Sequence, residues 1–239
     1  MENIESVKFS VEDGVLHICI DRPEKRNALT MPMFTAVTEA LKDADQRDDV
    51  LCIVVTGNGN AFCAGHDLKA FDEWPQQPQD PVPTFLHSIA DVRKPLVIAA
   101  HGSAAGIGVT WLLHADWVVT SAETKFKLPF IDMAIAPEAA STLLLQRAVG
   151  LPRAKRLIFG GETFSGSDAY QWGLVAELSP SDDVKARAFE RAKFFASKDP
   201  VILRRMKDWL HPSNEYHRRI DEEVDEINAA VERRRKANE

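Results

Sequence analysis

The chain has 239 residues, 45% of them hydrophobic, which suffices to bury a core as one large domain, or a domain with a helical appendage, and excludes a disordered tail. With 29 Lys and Arg against 36 Asp and Glu, the formal charge of −7 argues against a general attraction to nucleic acid or to an anionic membrane, so a polyanionic ligand must meet a local basic patch. The cysteines, Cys19, Cys52 and Cys63, are odd in number and lack CxxC spacing, which disfavours a disulfide framework and a structural zinc site.

The opening "MENIESVKFS" has neither the basic start nor the apolar stretch of a signal peptide, so the cytoplasm is the expected compartment. "SVKFSVE" and "GVLHICI" predict a hairpin, and "TMPMFTAVTEALKDADQR" a helix with Thr30 as its N-cap. The short apolar run "VLCIVVTG" recurs in kind as "PLVIAAHG" and "WVVTSA", as expected of strands covered on both faces in a largely parallel sheet with helices packed over it. Between them, "WPQQPQDPVP" predicts an exposed loop. The stretch from Pro95 to Val119 tempts a membrane assignment. His101, Ser103, His114 and Asp116 interrupt it, so it reads as strand, tight turn and buried helix. After Pro137 the pattern is helical: "EAASTLLLQRAVG", "LPRAKRLIFGG", "GSDAYQWGL", "SDDVKARAFERAKFFASK", "PVILRRMKDWL" and "EEVDEINAAVERRRK". A core over residues 1–182 and a helical region over 183–239 are therefore expected. The Arg-rich end is either a solvated helix face or a contact to a phosphate or another subunit.

Several superficial motifs fail. "GIGVTW" and "GNGNAF" put Trp111 and Phe62 where a dinucleotide fingerprint needs a small residue, and Ser103 lacks the glycine-x-serine-x-glycine elbow of a serine nucleophile. Cys63, His66 and Asp67 are neighbours on one loop with no distant partner, a poor basis for a metal site. What stands out is the arrangement. "FCAGHDL" opens a helix at Asp67, and "HGSAAGIG" opens a second after another strand. Two helix N-termini, each with unpaired backbone N–H groups, can converge on one developing oxyanion.

"RPEKRNALT", "AFCAGHDL", "KPLVIAAHGSAAGIGVTWLLHADWVV" and "FSGSDAYQWGLVAEL", in this order and spacing, resemble the enoyl-CoA hydratase/isomerase (crotonase) superfamily over nearly the whole chain. The resemblance implies an α/β fold, a spiral of strand-strand-helix units with a C-terminal helical region that builds trimers or hexamers, and acyl-CoA thioesters as substrates. No cofactor is expected beyond the coenzyme A of the substrate itself; no metal is expected because no ligand set converges in the sequence, and no nucleic-acid or membrane partner because of the net negative charge and the interrupted apolar stretch. By motif position His66 and Ile107, the residues after Gly65 and Gly106, supply the two oxyanion-hole amides.

Family membership leaves the reaction open. At the positions of the two hydratase glutamates this chain has Thr110 and Phe130, neither of which exchanges a proton as a carboxylate does. Glu138 stands where the resemblance to enoyl-CoA isomerases that shift a double bond from position 3 to position 2 places their single catalytic glutamate. The competing reading is a carboxylate in a helix's first turn, favoured there by the dipole. Ala134, Ile135, Ala136 and Ala139 offer apolar surroundings that would raise its pKa. The expected substrate-binding set is Lys25, Arg26, Ala28, Ala64, Gly65, Asp67, Leu68, Gly106, Thr110 and Phe130, with Lys25 and Arg26 equally readable as solvated turn charges. The Phe71 to Pro83 region and Phe130 are expected to wall the acyl tail. The alternatives are another crotonase-type reaction (hydration, decarboxylation, carbon–carbon cleavage or dienoyl isomerisation) and a catalytically idle acyl-CoA-binding homologue, which a Glu138 buried in a salt bridge away from the pocket would favour.

Overall fold

The computed structural model describes residues 3–238. The chain opens with the expected hairpin, β1 (Val7–Glu12) and β2 (Val15–Ile20), turned by Asp13 and Gly14 at φ 52° and 76°. Helix α1 (Met31–Gln46) has Thr30 at its N-cap, although the hydroxyl caps no amide, and Pro32 sits in its first turn, where no N–H is needed. The order continues β3 (Cys52–Gly57), α2 (Pro81–Asp91), β4 (Leu96–Ala100), β5 (Ser103–Ala105), α3 (Ile107–Thr110), β6 (Trp117–Thr120), β7 (Lys125–Lys127), α4 (Ser141–Val149) and α5 (Leu151–Gly160). It ends with β8 (Thr163–Ser165), α6 (Gly166–Gln171), β9 (Glu177–Leu178), α7 (Val184–Ala196), α8 (Pro200–Leu210) and α9 (Ser213–Asn238).

A six-stranded sheet has the order β1-β2-β3-β4-β6-β9, parallel except for the hairpin, and a three-stranded sheet has the order β5-β7-β8. After β4, and again after β6, the chain steps from the large sheet into the small one before its next helix or turn. The segment after β3 does the same at Cys63, which bridges Ala104 in parallel. Each turn of the spiral therefore delivers one strand to each layer, and the loops that follow the second strands stack side by side.

The apolar runs are covered on both faces. Val54, Val97, Ala99 and Val119 meet Val184, Ala188 and Ala192 of α7. Ile53, Val55, Ile98 and Val118 point the other way, into the main core with Phe34, Phe85 and Trp111. The helical tail expected from residue 183 thus divides its work: α7 covers the large sheet, while α9 returns along α2 towards the loops. Among the described residues no helix is long and apolar enough to cross a membrane, and the Pro95–Val119 stretch is broken into β4, β5, α3 and the start of β6.

The segment from Trp74 departs from the exposed loop expected of it. Trp74 and Gln76 are buried, and Gln76 is clasped by α9: its amide donates to Asn228 Oδ1 at 2.7 Å, and Asn228 Nδ2 donates to its carbonyl at 2.8 Å. Pro81 and Pro83 belong to the first turn of α2, where backbone donors have no intrahelical partner and proline is tolerated, so a composition that looks like loop is here a helix start.

Candidate active site

The two loops singled out in the sequence touch. Ala105 N–H donates to Cys63 O at 2.9 Å, and a Cβ built on Gly106 would lie 3.9 Å from Gly65 Cα. Gly65 (φ 99°) and Gly106 (φ 52°) hold left-handed conformations that only glycine adopts cheaply, and a Cβ on Gly65 would stand 2.9 Å from Ala105 O. Closer still, a Cβ on Gly108 would lie 2.3 Å from Cys63 O, so the first turn of α3 rests directly on the first loop. The amides of Gly65, Asp67, Val109 and Thr110 donate within the protein, whereas those of His66 and Ile107, like the adjacent Leu68 and Gly108 amides, have no protein acceptor among the described residues. The His66 and Ile107 amides, which the family resemblance assigns to an oxyanion hole, are thus among those left without a protein acceptor.

The turn "RPEKRNALT" holds the first loop from below. Leu29 N–H donates to Gly65 O, Asp67 N–H to Leu29 O and Ala64 N–H to Arg26 O, at 2.8–2.9 Å. Its anchor is Asn27, fully buried at φ 60°, whose amide nitrogen donates to Asn58 O and Ala61 O at 2.8 and 2.7 Å. Nothing in the sequence reading marked Asn27, although asparagine's tolerance of the left-handed region was available as a signal. Asp67 is paired with Arg22 Nη1 at 2.5 Å and accepts from Lys69 N–H, so its carboxyl is held below the ordinary range chiefly by the guanidinium.

Neither side chain that suggested catalysis on this loop is poised for it. Burial pushes the Cys63 thiol up to about 12, which leaves it protonated and unreactive. Burial pushes His66 down to about 4, a neutral ring packed against Phe34, Phe71 and Trp74 at centroid separations of 5.1, 4.6 and 6.2 Å. His66 lines the cavity, with its ring packed among the aromatic residues that form part of the wall.

Glu138 lies 9% exposed at the inner end of a cavity of about 560 Å³. It precedes the N-cap of α4, so the first-turn alternative does not hold: the helix begins at Ser141. Glu138 Oε1 accepts from Thr110 Oγ1 at 2.6 Å. Burial raises its pKa to about 8; the Thr110 hydrogen bond works against the shift, and the charge of Glu223 adds to it. No salt bridge ties it down among the described residues. The turn behind it is strained: Ala139 and Ala140 both have positive φ, 61° and 54°, each costing roughly 1–2 kcal/mol. His114, neutral because burial pushes it to about 4, donates from Nε2 to Ala139 O at 2.8 Å and holds that turn from the core side.

Of the expected contacts, Lys25, Ala28, Ala64, Gly65, His66, Asp67, Leu68, Gly106, Ile107, Phe130 and Glu138 line the cavity. Two do not. Arg26 is exposed, with a left-handed backbone that turns its side chain into a separate depression beside Pro23 and Gly59. Thr110 is fully buried and off the cavity lining, with its hydroxyl donating to the Glu138 carboxyl. Phe71, Trp74 and Val82 form the wall, as expected for that region, joined by Phe34, Met133 and Ile227, which local sequence could not place because α9 brings Ile227 from far along the chain. Arg22, Lys25 and Lys69 gather positive charge on the cavity lining.

The arrangement can polarise a carbonyl with two amides and move a proton with one carboxyl. The profile of the enoyl-CoA hydratase/isomerase family matches residues 10–233. The chain is 31% identical over 236 residues to the Mus musculus protein named enoyl-CoA delta isomerase 3, peroxisomal, an alignment spanning 96% of this chain and 74% of that one. It is 32% identical over 208 residues to the 2,3-dehydroadipyl-CoA hydratase of Escherichia coli (strain K12), spanning 86% and 82% respectively. The crystal structure of an enoyl-CoA hydratase/isomerase from Pseudoalteromonas atlantica T6c matches with a TM-score of 0.91 at 31% identity, over 95% of this chain and 92% of that one. Relatives of similar identity thus carry the names of two reactions, while fold and profile agree on their common origin: the chain belongs to the enoyl-CoA hydratase/isomerase (crotonase) family.

Proposed function

We propose that the protein is a delta-3,delta-2-enoyl-CoA isomerase, in which the thioester oxygen of a 3-enoyl-CoA sits on the His66 and Ile107 amides and Glu138 carries one proton from C2 to C4. The observation that carries this reading is the make-up of the acidic groups on the cavity: among the described residues Asp67 is neutralised by Arg22 and Glu138 is the remaining carboxylate, with Thr110 and Phe130 at the hydratase positions. Removal of the C2 proton generates a dienolate whose oxygen is negative; two preorganised amides stabilise that charge without reorganising. The carboxylic acid so formed stands over the delocalised system and returns the proton at C4, so one group serves as base and then as acid. A carboxylate kept out of water is a stronger base than a free one, which suits abstraction of a proton made acidic by a thioester and an alkene. Lys25 and Lys69 supply the local positive charge that a coenzyme A phosphate requires in a chain of net negative charge.

The test is conversion of a 3-enoyl-CoA into its 2-trans isomer, measured against hydration of a 2-enoyl-CoA, which is expected to be slow. Because the base must be ionised, kcat/KM rises with pH through about 8 and falls about tenfold per unit below that. A flat profile between pH 6 and 9, or hydration outpacing isomerisation, would contradict the assignment.

The exposed apolar face of α8 supports the second part of the proposal, assembly into a homotrimer or a pair of stacked trimers. Val201, Ile202, Trp209 and Leu210 are 56–77% exposed on this helix, a patch that a soluble monomer seldom shows. Light scattering should give three or six times the 26.7 kDa chain mass; a stable monomer at micromolar concentration would contradict it.

A further inference from the structure

We propose that Glu223, on the C-terminal helix α9, is a positioning residue for the reaction: it clamps the start of α4 and thereby fixes the strained Ala139–Ala140 turn that aims Glu138 into the cavity. The inference rests on the reading of Glu138 as the proton carrier.

The start of α4 has no local side-chain cap, since its N-cap is Ala140. A carboxylate from a distant helix does that work. Glu223 Oε1 accepts from Thr142 N–H at 3.1 Å and from Thr142 Oγ1 at 2.6 Å, and the Ala140 amide also faces the carboxyl. Arg219, one turn earlier on α9, donates to Thr142 Oγ1 at 3.1 Å, so the threonine hydroxyl is held from both sides. The two left-handed alanines therefore lie between two fixed points, His114 on the Ala139 carbonyl and Glu223 on the first amides of α4. A strained turn persists only where its surroundings over-determine it.

Glu223 is otherwise a poor residue for this place. It is 5% exposed, and its Oε2 has no hydrogen-bond partner among the described residues. Packing alone would be served as well by an apolar side chain, because burying an unsatisfied carboxylate oxygen costs stability. The orphan oxygen is explained if the carboxyl is retained for what it does to the turn and to the field at Glu138. The groups facing Glu223 are Thr142, the Ala140 amide, Arg219 and Glu138; those facing Glu138 are Thr110, Cys63 and Glu223. Both carboxyls are shifted up, mainly by burial, and the charge of Glu223 adds to the upward shift of Glu138, so the two titrate as a pair.

The experiment compares Glu223→Ala, Glu223→Gln and Glu138→Gln in the 3-enoyl-CoA isomerase assay, with kcat, KM, the pH profile and thermal melting for each. Glu223→Ala should lower kcat by about tenfold or more with KM within about twofold, the signature of a misplaced reacting group in an intact binding site. Glu223→Gln keeps an oxygen for Thr142 and loses the charge; it should recover most of kcat and move the acid limb of kcat/KM to lower pH, which a purely structural residue would not do. Parental kcat and an unmoved limb in both Glu223 variants, with Glu138→Gln inactive, would overturn this proposal alone. Near-parental activity of Glu138→Gln would overturn the reading of Glu138 itself. If Glu223→Ala fails to fold, the limb of Glu223→Gln decides: a downward shift supports the proposal and an unchanged limb overturns it.

Discussion

Glu138→Gln should lose isomerase activity by about a hundredfold or more while binding acyl-CoA about as well as the parent. Gln has the size of Glu, and its side-chain oxygen can still accept from the Thr110 hydroxyl, which now lies 2.6 Å from Glu138 Oε1. The change removes proton transfer and leaves the cavity wall intact. Near-equal binding is expected because the proposed pose rests the thioester and the acyl tail on the His66 and Ile107 amides and the apolar wall, while Glu138 hydrogen-bonds Thr110. Among the described residues no other carboxylate on the cavity can take over, since Asp67 is committed to Arg22 and its pKa is lowered by that pairing. Turnover and equilibrium binding, measured side by side, check the prediction. A variant with impaired binding and unimpaired turnover per bound substrate would assign Glu138 to recognition instead.

The second large effect is expected from a residue with no functional group. Gly108→Ala puts a methyl carbon where Cys63 O lies 2.3 Å away, closer than non-bonded carbon and oxygen approach. Cys63 O is backbone, and it already accepts from Ala105 N–H, so it cannot swing aside like the end of a long side chain. Relief must come from parting the first loop and α3, the two elements that carry the His66 and Ile107 amides. Separation by a few tenths of an ångström detunes both donors, and kcat/KM should fall by about a hundred- to thousandfold, the scale of losing one oxyanion donor. Overpacking should also destabilise the fold by ~1–3 kcal/mol, which a melting curve separates from the catalytic effect. Parental kcat/KM would show that the amides do not act through their spacing.

What could be read from the residues differed in kind between loops and walls. The apolar runs "VLCIVVTG" and "PLVIAAHG" identify strands because burial on both faces demands continuous hydrophobicity, and α7 and the main core supply those two faces. The loops after Gly65 and Gly106 were legible because each reads locally as the start of a helix with unpaired amides, and the structure adds that both glycines hold positive φ there. The role of Thr110 was not legible. Its position matched a substrate contact by motif, but its partner depends on where a turn 28 residues later returns. Arg26 lies off the cavity for a smaller reason: positive φ at Arg26 and Asn27 in the "RPEKRNALT" turn leaves its side chain beside Pro23 and Gly59 while Lys25 stays on the cavity. Trp74 and Gln76 carry loop composition yet are buried, because Asn228 arrives from α9 to satisfy the backbone there. Glu223 and Ile227 belong to the same class, residues whose function is conferred by the helix that returns.

In the proposed reaction one carboxyl moves a proton between two carbons of a thioester whose oxygen is held by two amides. The most direct test is a crystal structure of Glu138→Gln with a bound 3-enoyl-CoA. The thioester oxygen should lie about 3 Å from the backbone nitrogens of both His66 and Ile107. The side chain at position 138 should stand over the C2 to C4 face of the alkene, within contact distance of both carbons. A thioester oxygen bound away from either amide, or a C4 out of reach of position 138, would contradict it.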